Sequence, residues 1–95
     1  MRQARFESMR IITVNLNGIR SAARKGFCQW MTRTRADVVC VQELKAQAAD
    51  LFDGMRGPGS YNGYFHHAEK KGYSGVGLYC RCEPDRVVEG VGRRD

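Results

Sequence analysis

With 95 residues, the chain has the length of one small domain or of part of a larger one, which excludes multidomain machinery. Apolar residues make up 42% and charged residues 27%, ordinary globular values that fit neither a disordered tail nor a membrane-embedded protein. Sixteen Lys and Arg against ten Asp and Glu give a net charge of +6, which favours polyanionic partners without identifying DNA.

Residues 1–8 are basic and polar and are not followed by an apolar stretch of about 7 to 15 residues with a small-residue cleavage site, so they do not read as a secretory signal. They read as a leader that the next element does not need. Residues 10–16, Arg-Ile-Ile-Thr-Val-Asn-Leu, are rich in β-branched side chains and predict a strand buried on both faces. Over 21–35 the apolar residues Ala23, Phe27, Trp30 and Met31 recur at spacings of three and four, the stripe of one amphipathic helix packed on a sheet. Residues 37–43 predict a second buried strand. Strand, helix and strand in this order form a right-handed βαβ unit, which makes the two strands parallel.

Beyond Glu43 the pattern changes. Residues 46–55 predict a weak short helix, and Arg56-Gly57-Pro58-Gly59-Ser60 is a breaker cluster. Residues 61–67 and 75–80 predict two strands of an antiparallel hairpin, joined by a polar connection that contains Gly72. A further strand is expected at 86–88. The fold class is therefore α/β: a mixed sheet with a parallel βαβ start and an antiparallel hairpin.

The four cysteines, Cys28, Cys40, Cys80 and Cys82, include no pair at the spacing of a zinc knuckle or a thioredoxin-type motif. Cys40 lies within the apolar run 38–41 and reads as a small buried hydrophobe. Reduced thiols fit a cytoplasmic protein best. No segment approaches the ~20 apolar residues of a membrane helix, so no membrane association is expected.

In sheets with parallel strands, functional side chains gather at the carboxyl ends. The first strand ends at Asn15 and the second at Gln42-Glu43, and neighbouring strands lie about 4.8 Å apart, so Asn15 and Glu43 come within reach of one ion. One carboxylate with an amide partner leaves positions for water and phosphate, the usual way of holding Mg²⁺. On position alone, Glu43 reads equally as a solvated strand end or as an ion-pair partner of Lys45.

Three segments add context: 9–20 with Asn15-Leu16-Asn17-Gly18-Ile19-Arg20, 36–45 with Gln42-Glu43-Leu44-Lys45, and 71–78 with Gly72-Tyr73-Ser74-Gly75-Val76-Gly77. In order and spacing they resemble the opening motifs of the exonuclease III family of apurinic/apyrimidinic endonucleases, within the endonuclease/exonuclease/phosphatase superfamily. The resemblance covers nearly everything from Met9 to about Gly90 and implies that 9–95 is the N-terminal part of a two-sheet, four-layer α/β sandwich. It implies that Glu43 is the metal carboxylate for Mg²⁺ (or Mn²⁺), with Asn15 beside it as a catalytic residue and second metal contact. Asn17 and Lys45 would lie just behind the ion. Arg20 and Lys25 would touch DNA phosphates, and Gly72, Tyr73 and Ser74 would form a hairpin tip against the duplex. Taken alone, Tyr73 reads as a turn aromatic packing on its hairpin, and His66 and His67 read as strand or surface residues.

The implied activity is DNA repair: cutting double-stranded DNA beside abasic sites and removing nucleotides from 3′ ends. The family's later motifs, a tyrosine near the phosphate, an Asp-x-Asn pair and a closing Asp-His pair, have no counterpart among these residues. Asp50, Asp53, Asp85 and Asp95 lack the neighbours to replace them. In-line hydrolysis needs both a metal and a base to prepare water, and only the first is encoded. The 95-residue chain is thus expected to be a truncated or partial form, inactive by itself, with no obligate protein partner inferred. The alternative is a non-catalytic basic nucleic-acid-binding fragment.

Overall fold

The computed structural model describes residues 9–70, 72 and 74–81. The leader at 1–8, Tyr73, Cys82 and the strand expected at 86–88 lie outside the described residues.

Four strands form one mixed sheet: β1 (Ile11–Asn15), β2 (Val38–Gln42), β3 (Asn62–His66) and β4 (Val76–Cys80), in the order β1-β2-β4-β3. β1 and β2 run parallel with Ile11 beside Val38 and Asn15 beside Gln42. β4 is antiparallel to both β2 and β3, so the expected hairpin is present and docks its second strand onto the βαβ unit. This register carries Ile12, Val39 and Tyr79 in one row and Val14, Val41 and Phe65 in the next, all on the face that buries the core.

That face is covered by α1 (Ile19–Arg24), α2 (Phe27–Thr34), a 3₁₀ turn (Ala48–Asp50) and the single-turn α3 (Asp53–Arg56). Ile19, Phe27, Met31, Leu51, Met55 and Tyr61 pack from the cover onto Val39, Val41 and Tyr79. The one helix expected over 21–35 is two. Gly26 takes φ 98°, a conformation that ends α1 as glycine commonly ends helices, and α2 restarts at Phe27. The stripe survives the break because Phe27 and Met31 still point inward, while Trp30 is 40% exposed. Between β2 and β3, the weak helix expected at 46–55 is reduced to the 3₁₀ turn and α3.

Two buried hydroxyls fix the cover to its neighbours. Tyr79 donates to Met55 O at 2.6 Å and Tyr61 to Ala36 O at 2.6 Å. Burial pushes the Tyr79 phenol well above its ordinary range. Phe65 lies edge-on to Tyr79 at 5.5 Å, and its ring spreads over Gly77, where a Cβ would sit 2.6 Å from the ring.

The opposite face carries Ile11, Val38, Cys80 and Asn62 in one row and Thr13, Cys40, Leu78 and Tyr64 in the next. No described helix lies on it. The strands are therefore not buried on both faces as expected: Ile11 is 57% and Val76 48% exposed. In β2 the residues on this face, Val38 and Cys40, are half-buried, while Val39 and Val41 on the other are buried.

Asp37 closes the far end of the sheet. Its carboxylate accepts from Arg10 N at 2.8 Å and from Arg81 Nη2 at 3.0 Å, and its carbonyl accepts from Arg81 N at 3.1 Å. The Arg10 amide, then the Arg81 guanidinium, hold the carboxyl below the usual carboxylate range.

Candidate active site

The site forms at the carboxyl ends of β1 and β2, where three loops meet. Pairing does not stop with the strands. Leu16 N donates to Gln42 O, Gly18 N to Glu43 O and Ile19 N to Leu44 O, each at 2.9 Å. On the other side Leu44 N donates to Gly75 O at 3.1 Å and Lys45 N to Ser74 O at 2.7 Å. These bonds hold backbone that non-glycine residues rarely adopt: Asn17, Glu43 and Lys45 have φ of 51°, 56° and 53°. Each such residue costs on the order of 1–3 kcal/mol, and such positions cluster at functional sites. Leu44, between two of them, is fully buried and anchors the segment in the core.

The turn at Glu43 sends its carboxylate to the loop edge, where the side chain is 42% exposed. Asn15 Nδ2 donates to Glu43 Oε2 at 2.8 Å, and Asn15 Oδ1 accepts from Asn17 N at 2.9 Å. The amide of Asn15 is thereby fixed at both ends, with its N–H side toward the carboxylate. Lys45 Nζ donates to Asn17 Oδ1 at 2.6 Å and lies 3.9 Å from Glu43 Oε1. Four residues singled out from sequence, Asn15, Asn17, Glu43 and Lys45, thus form one hydrogen-bonded cluster. One oxygen of Glu43 is engaged by Asn15, and the other faces the edge beside Lys45. Among the described residues no group of three or more His, Cys, Asp or Glu converges, so Glu43 is the carboxylate of this cluster without a second. Its hard oxygen suits a cation that keeps most of its coordination for water and phosphate.

Arg20 leaves the start of α1, donates to Lys45 O at 3.3 Å and lies 3.9 Å from Asp50 Oδ1. Beside it a hollow of about 300 Å³ is lined by Gly18, Arg20, Ser21, Arg24 and Lys45. Arg24 is a cation that the motif reading passes over. Its place was signalled by its position four residues after Arg20 in a helix, which puts both on one face. Lys25 faces a different space, an open groove of about 480 Å³ between the end of β1 and the two helices, walled by Asn15, Asn17, Phe27 and Trp30. Phe27 and Trp30 stand 6.0 Å apart along it. Arg20 and Lys25 are therefore on the loop edge but border separate hollows. Gly72 and Ser74 are exposed at the hairpin connection, and Ser74 reaches the site through its carbonyl.

The carboxyl edge of the mixed sheet thus presents one carboxylate, held by an asparagine amide with the Lys45 ammonium beside it. The profile of the Endonuclease/Exonuclease/phosphatase family matches residues 12–95. The chain is 38% identical over 87 residues to the exodeoxyribonuclease of Bacillus subtilis, covering 88% of this chain and 32% of that protein. With the DNA repair nuclease APEX1 of Danio rerio it shares 31% over 96 residues, 99% of this chain and 31% of the relative. Among solved structures, an AP endonuclease from Archaeoglobus fulgidus superposes with a TM-score of 0.72 at 26% identity, over 87% of this chain and 32% of that one. The catalytic domain of Xenopus laevis APE2 superposes with a TM-score of 0.61 at 38% identity, over 76% and 23%. The chain belongs to the Endonuclease/Exonuclease/phosphatase family, and the relatives it matches include an exodeoxyribonuclease and a DNA repair nuclease. It spans about a third of the length of the curated relatives it matches.

Proposed function

We propose that this chain carries the metal-carboxylate portion of a Mg²⁺-dependent DNA repair nuclease of the exonuclease III type, acting beside abasic sites and at 3′ ends of double-stranded DNA. The observation that supports it most is the Asn15–Glu43 pair at 2.8 Å, held on strained backbone at the carboxyl edge of parallel strands. Glu43 would hold the ion, Mg²⁺ or Mn²⁺, through Oε1, the oxygen that Asn15 leaves unengaged and that lies 3.9 Å from Lys45 Nζ. When bound, such an ion offsets the charge that develops on a phosphodiester as its P–O bond breaks. Asn15 keeps the carboxylate aimed, Lys45 balances the charge around it, and Asn17 accepts from the Lys45 ammonium through its Oδ1. Arg20, Arg24 and Lys25 supply phosphate contacts that position a duplex without reading its sequence, as an enzyme acting anywhere on DNA requires. The thiols of Cys28 and Cys40, in no disulfide, suit a reducing cytoplasm.

The second reading, a non-catalytic basic nucleic-acid-binding fragment, draws on the cationic hollow around Arg20, Arg24 and Lys45. One substitution separates the two. In a form of the protein as long as its curated relatives, Glu43→Gln keeps the shape of the side chain and removes its charge. Incision of an abasic-site duplex should collapse and Mg²⁺ affinity should fall, with the melting temperature nearly unchanged. Equal incision at equal Mg²⁺ would refute the metal role, and unaltered DNA binding without incision in either form would favour the second reading.

A further inference from the structure

Glu43 does not hold its own conformation. It sits in a segment bonded on both sides, to Gly18 and Ile19 from the β1 loop and to Ser74 and Gly75 from the approach to β4. Removing either side would let the two left-handed residues, Glu43 and Lys45, relax toward ordinary backbone. The Gly75 side is the tighter one. Gly75 is buried with φ 97°, and a Cβ there would lie 3.3 Å from Leu44 Cβ and 3.5 Å from Leu44 Cδ1 and His66 O. Leu44 has no exposed surface into which to retreat. Any side chain at 75 therefore presses on the one residue that separates Glu43 from Lys45. Both of these reach the asparagines of the β1 loop, Glu43 to Asn15 and Lys45 to Asn17.

We propose that Gly75, together with the Ser74 carbonyl, is a positioning element for the cation: the turn before β4 clamps the 43–45 backbone and so sets the direction of the Glu43 carboxylate. The proposal rests on the reading of Glu43 as the cation carboxylate. Because coupling between two sites is reciprocal, a cation held by Glu43 must in turn tighten the bonds from Leu44 and Lys45 to the turn.

The test uses the 95-residue chain, dilute and ¹⁵N-labelled, with Mn²⁺ as a paramagnetic probe whose line broadening marks nearby nuclei. In the wild type the Asn15 side-chain amide and the Glu43 backbone amide should broaden first. Glu43→Gln should abolish this selectivity. Gly75→Ala should require at least about fivefold more Mn²⁺ for the same broadening, the low end of ordinary coupling between linked sites. Tyr61→Phe, which loses the bond to Ala36 far from the site, should lower the melting temperature without changing the Mn²⁺ requirement. If Glu43→Gln loses the broadening and Gly75→Ala behaves as wild type, the positioning role is overturned while the cation reading stands. If Glu43→Gln broadens as wild type, the cation reading fails and the proposal falls with it. Should Gly75→Ala not fold, hydrogen exchange in the wild type decides. Mg²⁺ should slow exchange at the Leu44 and Lys45 amides and leave Val39 and Val41 unchanged, whereas equal rates with and without Mg²⁺ overturn the proposal.

Discussion

At the scale of single residues, the chain separates groups that hold the sheet from groups that present charge. Asp37 belongs to the first kind. Its carboxyl is held low by the Arg10 amide and the Arg81 guanidinium, so its contribution to stability is present above its unfolded value of about 3.9 and is lost as pH falls through the lower folded value. Asp37→Asn should remove that acid-side dependence, which melting curves taken between neutral pH and pH 2 would show; curves that still run parallel to wild type would assign the acid transition to other carboxylates. Arg20 and Lys25 belong to the second kind. Neutralising both should weaken duplex binding regardless of sequence and lower the salt slope by about one to two units, near 0.9 per lost phosphate contact. An unchanged slope would mean that they are only solvated surface. Asn15 and Glu43 are legible in the sequence because they stand at the ends of two predicted strands, whereas Asn17 and Lys45 enter the site through the family resemblance. Arg24 and Gly75 are not legible, since their roles depend on helix phase and on a close approach between loops distant along the chain.

At the scale of elements, the parallel βαβ pair and the antiparallel hairpin were readable, whereas helix continuity was not. The spacing of Ala23, Phe27, Trp30 and Met31 fits a single helix, and a stripe is insensitive to one left-handed residue at Gly26. The available signal was Lys25 followed by Gly26, a basic residue and then glycine, which is how helices end. Burial of both strand faces is met on one side only among the described residues: the closed face is packed, and Ile11 and Val76 lie exposed on the other. Packing on the closed face is tight at Gly77, under the Phe65 ring. Gly77→Ala should cost about 1–3 kcal/mol, the usual penalty of overpacking, measured as a lower denaturant midpoint. The larger loss should come with displacement of Phe65, visible as altered ring contacts to Tyr79. A neutral substitution would show that the ring can swing clear.

The molecule measures 45 × 41 × 20 Å, and among the described residues its one sheet has a cover on a single side. Its open face, with Ile11 and Val76 exposed and Val38 and Leu78 half-buried, favours association. The 95-residue chain should therefore sediment as larger species as its concentration rises, and Leu78→Lys should suppress this without disturbing the closed core. A monomer at every concentration would show that the face is adequately solvated. The isolated chain should also give no Mg²⁺-dependent incision of an abasic-site duplex, and incision abolished by Glu43→Gln would overturn that expectation. Trp30 makes the two edges of behaviour distinguishable by light alone. It is the single tryptophan of the chain and stands 40% exposed on the groove wall beside Lys25, on the covered side of the sheet. Its emission is an unlabelled reporter built into the loop edge: DNA lying in that groove should shift the spectrum and shield the indole from acrylamide, while stacking of open faces should leave its colour and quenching untouched.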